Sequence, residues 1–490
     1  MRDDERVPSR SLTGAKNGEQ PHPGHSRSLE VASRTSNPSH WPRGLKSYVA
    51  LHGTWVAMYA FLGKGFAYAG WQPFYVGELL LLLALPVLFA TRRIGAVLNT
   101  PLGLLMACFL AWQTACMLPY LAEFGTNALR DSVIWGYAAF ACVTATLVLR
   151  LRGLLKTILR WYPRFARFYL FLGPAVWLAT LYLRDWLPRW PGTSVTVPLV
   201  KGDEYCVHLA GILAFLLSGI GKASQWWVFL LLADAMLGMS VRSGLAAFVV
   251  ACGFVLLLRP QLGRLLLVSI SGVTLILAMI AFDLRFVTPV GSREFSLDQL
   301  KSSLISVVSD SERSDLESTK SWRLIWWRAI RDYTVSGPYF WTGKGYGINL
   351  ADSDGFQVGT REEPLRSPHS SHVTFLARSG VPGFLLWGAL QLFWAAQMLR
   401  CYFRARSLRS PVWSGLFAWL LAYWTAFMVS AGFDVFLEGP MAGIPFWTLF
   451  GLGWGAQIHF CSQLARRGLG SLAAQTREPA GAYSYARAGR

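Results

Sequence analysis

The feature that most constrains this chain is a series of twelve apolar runs separated by short, mostly basic links. The runs fall at about 48–69, 75–90, 101–119, 132–149, 168–183, 206–220, 226–240, 243–258, 265–282, 381–399, 412–432 and 442–459. A bilayer core takes roughly 20 apolar residues per helix, and shorter runs serve inside a bundle. The pattern predicts an all-α integral membrane protein with about 12 transmembrane helices. Pro101 suits a helix start and Pro119 a helix end. Composition agrees, at 53% hydrophobic and 15% charged residues. A soluble domain carries roughly 25% charged residues. The 22 Trp suit the headgroup level of a bilayer.

A formal charge of +19 would suit a nucleic acid partner, but its distribution excludes one. The cations sit in clusters: Arg92 and Arg93; Arg150, Arg152, Lys156, Arg160, Arg164 and Arg167; Arg259 and Arg264; Arg400, Arg404, Arg406 and Arg409. With twelve spans, all of these links share a side with both termini, as the positive-inside rule asks of cytoplasmic loops. Residues 1–46 are polar, rich in Ser, Pro and Arg, and read as a cytoplasmic tail in which no signal peptide is seen. The first transmembrane helix is then the insertion signal. Nine helices are expected within 47–282, a large periplasmic loop with amphipathic helices at 283–370, three helices within 371–460, and a second cytoplasmic tail at 461–490. The large loop nearly balances acid against base, and loops of that length are usually functional. The seven cysteines lie in or beside apolar runs without a CxxC, so neither a disulfide scaffold nor a zinc site is expected.

Three places carry possible chemistry. On a helical wheel, residues 322–331 put Arg323, Trp327, Arg328 and Arg331 on one side and Trp322, Ile325, Trp326, Ala329 and Ile330 on the other. Such a helix is either an anchor along the membrane surface, with snorkelling arginines, or an arginine face that grips phosphate. Arg242 stands between two apolar spans among Ser240, Ser243 and Gly244, where a guanidinium is costly and small neighbours suggest close packing. His369 and His372 lie where the large loop re-enters the membrane. His369 suits a general base near neutral pH, His372 a structural role, and a metal shared by the two is a third reading.

His369-Ser370, nine residues, Gly380, two residues, Gly383 resembles the H-[NSQ]-x9-G-x2-G signature of the bacterial O-antigen ligase superfamily. Gly337-Pro338 followed by Gly343-Lys344-Gly345-Tyr346-Gly347 is similar to the family's glycine-rich stretch. Arg323 followed by Trp326 resembles its opening basic position, and Ser240-Val241-Arg242 its Ser-x-Arg pattern. The resemblance runs from roughly Leu230 to Gly453, with topology alone matching before it. Phe384 stands where ligases usually carry Thr, Ser or Tyr, which keeps the superfamily's polysaccharide polymerases and protein oligosaccharyltransferases beside the ligases.

The resemblance implies a GT-C-like, inverting glycosyltransferase that needs no cofactor and no metal. Its donor is an undecaprenyl-diphosphate-linked glycan, and its acceptor a lipid A-core or a growing glycan, at the periplasmic face of the inner membrane. His369 is implied as the base, and Arg242 and Arg323 as diphosphate ligands, with Arg328 or Arg331 in support. Membrane lipids are the other partners expected, and nucleic acid is not one.

Two readings from other classes stand against this one. A secondary transporter needs charged groups at mid-membrane in two related halves. Here the intramembrane carboxylates are Glu78 and Asp234, and no such repeat is evident. A non-catalytic scaffold would tolerate changes at His369 and Arg242 together. Asp352-Ser353-Asp354 spells a D-x-D but sits beside Gly355 in a turn-like loop, and Gly219 to Ser224 lacks the spacing of a Walker loop.

Overall fold

The computed structural model describes residues 41–71, 74–220, 224–238, 241–259, 262–282, 286–287, 294–295, 314–358 and 364–475, with side chains described within 321–466 for the C-terminal part. Each of the twelve apolar runs overlaps helix among the described residues, although 132–149 is divided between two helices. The helices longer than ten residues are α1 (Arg43–Leu62), α2 (Val76–Thr91), α3 (Pro101–Phe124), α4 (Thr126–Gly136), α5 (Ala139–Arg150), α6 (Leu154–Tyr182), α7 (Gly202–Leu217), α8 (Gln225–Gly238), α9 (Arg242–Leu258), α10 (Leu262–Ala281), α11 (Ser314–Val335), α12 (Ser371–Ser407), α13 (Pro411–Phe433) and α14 (Pro440–Gln475). Two short antiparallel strand pairs accompany them.

The count of about twelve spans needs qualification. Among the described residues α3, α6, α10, α12 and α13 are long and apolar enough to cross a membrane, and α4 with α5, bent by 41°, makes a sixth candidate if taken together. The reason is geometric. The apolar helices α2, α8 and α9 have 14–17 residues. At 1.5 Å per residue they rise about 21–26 Å, short of a ~30 Å hydrocarbon core.

Of the two prolines singled out, one stands where it was expected and the other does not. Pro101 opens α3 behind Thr100, whose side chain accepts a hydrogen bond from Gly103 N. Pro119 does not end α3, which runs on to Phe124, so the helix is longer than the apolar run within it. The core centres on α12, α13 and α14, with α14 along α5 and α13 between α12 and α9. Trp387, Trp394, Trp419, Trp447 and Trp454 are buried there.

The two ends of the bundle differ. Trp41 donates to the Arg152 carbonyl at the start of α1, and twenty residues later Leu62 O accepts from Leu199 N, next to α7. α1 therefore measures about 30 Å between the ends. The Arg152 end collects the clustered arginines. Arg259 donates to the carbonyls of Ser218 and Pro411, Arg264 to that of Leu216, and Tyr402 to that of Leu258. The opposite end carries α11 and the first turn of α12.

α11 falls within the stretch between the ninth and tenth apolar runs. Its Trp326 and Ile330 bury against Leu350, Ala351 and Ala377, so much of the aromatic face meets protein rather than a membrane surface. Leu324 and Ile325 stay exposed. Most of 283–313, with 1–40 and 476–490, lies outside the described residues, and the second tail expected from 461 begins instead as helix, since α14 runs on to Gln475.

Candidate active site

The glycine-rich stretch builds the platform. Gly380 breaks α12 with φ 68°, and a side chain there would run into the Phe340 and Trp341 carbonyls. Into that break the 340–345 segment docks backbone to backbone. Val381 N donates to Phe340 O (2.8 Å), Lys344 N to Ala377 O (2.7 Å) and Gly345 N to Arg378 O (3.1 Å). Gly345 and Gly347 lie so close to Tyr120 and Phe124 of α3 that a Cβ would overlap both rings. These glycines are packing devices rather than a phosphate cradle. Asp131 ties the assembly down, accepting from Arg366 (3.0 Å), buried Arg378 (3.0 Å) and Gly347 N (3.1 Å). Asp354 of the D-x-D is likewise held inward, by Lys344 (2.5 Å) and Trp326 (2.7 Å).

His369 sits just ahead of α12, and Ser370 caps that helix by accepting from Val373 N. The histidine has φ 53°, a left-handed backbone that a non-glycine residue adopts at a cost. α11 fixes it there. Trp327 Nε1 donates to Pro368 O at 2.7 Å, and Trp322 meets the imidazole edge-on with centroids 6.2 Å apart.

Opposite stands Asp434, which follows α13. His369 Nδ1 lies 3.2 Å from Asp434 Oδ1, and Lys201 Nζ lies 2.9 Å from Oδ2. Ser371 Oγ accepts from Leu437 N (3.0 Å) and Thr374 Oγ1 donates to Glu438 (2.7 Å), which clamps the 434–438 loop on α12. Burial alone would raise the Asp434 pKa, but Lys201 and the His369 hydrogen bond hold it well below the carboxylate range. The carboxylate is thus ionised and accepts from His369 Nδ1–H, the tautomer in which a neutral imidazole keeps its Nε2 lone pair.

Arg323 reaches the same corner, and Arg242 stands on a helix N-terminus beside it. Arg323 Nη1 donates to Phe433 O, one residue before Asp434, at 2.9 Å. Arg242 is the first residue of α9. Its neighbour Gly244 lies where a Cβ would stand 2.9 Å from Cys206 and 3.2 Å from Asp203 Cα, so the N-termini of α7 and α9 are pressed together. That is the close packing expected around Arg242. Asp203 and Glu204 occupy the first turn of α7, ahead of the apolar stretch beginning at Cys206. Burial first, then neighbouring carboxylates, pushes them up to about 7 and about 8. Among the described residues the corner brings Lys201, Arg242 and Arg323 to the side of Asp434, while burial weakens the charge of Asp203 and Glu204. Helix N-termini add positive dipole ends.

The other named residues stand apart. Arg328 is exposed on α11. Arg331 lies two turns from Arg323 and pairs with Asp332 at 2.6 Å. His372 has both ring nitrogens engaged inside the bundle, with Met428 O at 3.0 Å and Trp387 Nε1 at 3.2 Å. Among the described residues it shares no partner with His369. Lys201, Asp203 and Asp434 were missed by the sequence reading. Each is a charged residue flanking an apolar run on the side opposite the arginine clusters, a signal that was present but local.

Residues 227–388 match the family model described as O-Antigen ligase. The chain carries an O-antigen ligase superfamily domain. No curated protein matches it. Within the O-antigen ligase match fall Arg242, Arg323 and His369, whereas Lys201 precedes it and Asp434 follows it. The corner thus joins the matched domain to flanking segments that the family model does not reach.

Proposed function

We propose that the chain transfers a glycan from undecaprenyl diphosphate to a sugar hydroxyl, acting as an O-antigen ligase at the periplasmic face of a bacterial inner membrane. The observation that carries this reading is the His369–Asp434–Lys201 arrangement beside Arg242 and Arg323. His369 Nε2 takes the proton from the acceptor hydroxyl as its oxygen attacks the anomeric carbon. The bond to the carrier oxygen breaks on the opposite face, inverting the centre. The diphosphate leaves with the bonding pair, and Arg242, Arg323 and Lys201 stabilise that charge where it develops. Asp434 holds the imidazole in the Nδ1–H tautomer and offsets the imidazolium. Two planar guanidiniums suit the forked oxygens of a diphosphate.

Phe384, just past Gly383 on α12, favours a second reading, a polysaccharide polymerase of the same superfamily. The acceptor separates the two.

The test uses purified chain with a carrier-linked glycan and either lipid A-core or a second carrier-linked glycan as acceptor. Transfer to lipid A-core, lost in His369→Ala and unchanged by excess chelator, is the expected result. Transfer solely to the carrier-linked acceptor selects the polymerase. Chelator-sensitive transfer, or normal transfer by His369→Ala, rejects the mechanism.

A further inference from the structure

The basic segment after the fourth apolar run is not a loop. From Leu154 onward it is the first half of α6, a helix of 29 residues, longer than the roughly 20 that a bilayer core needs. Its four cations share one face. With Lys156 at 0°, Arg167, Arg160 and Arg164 fall at about 20°, 40° and 80° on a 100°-per-residue wheel. All four are exposed. Away from this stripe the helix is packed, with Leu154, Ala166 and Tyr169 buried. No acidic residue occurs in α6, and among the described residues none of the four cations makes an ion pair.

One turn further along the same side, the exposed surface changes character. Arg167 is followed by Phe168 and Phe171, which are 67% and 69% exposed. Trp161 is also exposed, with Arg164 over its ring at 4.6 Å, and Arg167 lies over Trp227 at 5.7 Å. Exposed phenylalanines mark hydrocarbon, while tryptophans and stacked arginines mark the layer where headgroups lie. The cationic stripe occupies the headgroup side of that change, at the Arg152 end of the bundle, remote from His369.

We propose that this face of α6 holds the phosphate headgroups of anionic phospholipids. The unpaired cations run for about 16 Å beside the acyl-facing aromatics. Four cations spread over that length exceed what a single small anion needs, and the adjoining exposed aromatics fit a headgroup that carries acyl chains. Each cation within reach of an anionic leaflet strengthens binding by about fivefold.

The experiment reads lipid retention by native mass spectrometry and the thermal midpoint of the intact protein in detergent. Phosphatidylglycerol, phosphatidylcholine and inorganic phosphate are added separately. Phosphatidylglycerol should be retained and stabilise, and the other two should not. The K156Q/R160Q/R164Q/R167Q variant should lose the preference, while R160K/R164K/R167K should keep most of it. R164Q alone, with an expected loss of about fivefold, serves if the quadruple variant fails to fold. Equal stabilisation by phosphatidylcholine, or by free phosphate, overturns the lipid assignment. An unaltered preference in the quadruple variant, or in R164Q where that stands in for it, overturns the stripe.

Discussion

His369 Nδ1 stands 3.2 Å from Asp434 Oδ1 across 65 residues of chain. A carboxylate so placed, its second oxygen bound to Lys201 at 2.9 Å, fixes which imidazole nitrogen carries the proton. Asp434→Asn keeps the shape but presents an amide that stabilises the wrong tautomer. The transfer rate is expected to fall by about 10²–10⁴-fold with donor affinity little changed. The double variant His369→Ala/Asp434→Asn should be no slower than His369→Ala, because residues acting as a unit are not additive. An additive loss in steady-state rates would separate the two roles.

Arg242 and Arg323 provide the second prediction. Lysine in either place keeps the charge and loses the planar fork. Arg242→Lys and Arg323→Lys should each lower transfer by about tenfold or more at matched protein level, since a charge-assisted hydrogen bond contributes about 1.5–3 kcal/mol. Arg331→Lys, paired with Asp332 and two turns away, should transfer normally. Full activity in both of the first two variants would remove the diphosphate role.

The buried carboxylates make stability depend on pH. Burial, then Asp434, raises Asp203 to about 7. Its unfolded pKa is roughly 3.9. A raised folded pKa adds stability that is complete below about 4 and lost as pH climbs through about 7. Asp434, depressed by Lys201 against its burial, works in the other window, and its contribution is lost as pH falls below about 4. Asp203→Asn should therefore gain on the parent between about pH 4 and 7, by thermal midpoints in detergent. Parallel curves for the two proteins would contradict it.

How much of this was legible in the sequence follows from the range of each interaction. Helices are set by apolar runs of contiguous residues, so every run overlaps helix. Their number as spans was not set that way, because α8 and α9 are too short to cross alone. His369, Gly380 and Gly383 were legible as a local spacing, and the fold gives Gly380 its reason in a left-handed break filled by Phe340 and Trp341. Asp434 and Lys201 were not legible, because what singles them out is contact across 233 residues. The helical wheel of α11 gave the right face to Arg323 but said nothing of how far along the helix the corner extends. Arg331 falls beyond it.

Sidedness rests on the arginine clusters. Activity reporters fused near Gly355 should be active outside the cytoplasm, and those near Ser407 inside it. A cytoplasmic signal near Gly355 would reverse the orientation and remove the site from the donor's face.

Gly380 provides the last prediction, which separates fold from chemistry. Alanine there meets two obstacles. Its φ of 68° strains any side chain, and the new Cβ would stand 2.4 Å from Phe340 O and 2.6 Å from Trp341 O. Backbone on both sides leaves no flexible group to yield, so the 340–345 segment has to withdraw. Its hydrogen bonds to Ala377, Arg378 and Val381 go with it. Strain of this kind costs about 1–3 kcal/mol before the lost hydrogen bonds are counted. Gly380→Ala should unfold at lower temperature and expose the 340–345 backbone to hydrogen exchange. Transfer per folded molecule should fall as well, because His369 stands at the start of the helix that loses its brace. Gly388, further along the same helix, has open space around it. Gly388→Ala should leave the 340–345 exchange unchanged and cost no stability. Equal behaviour of the two alanine variants would mean that Gly380 is not the joint on which the site is built.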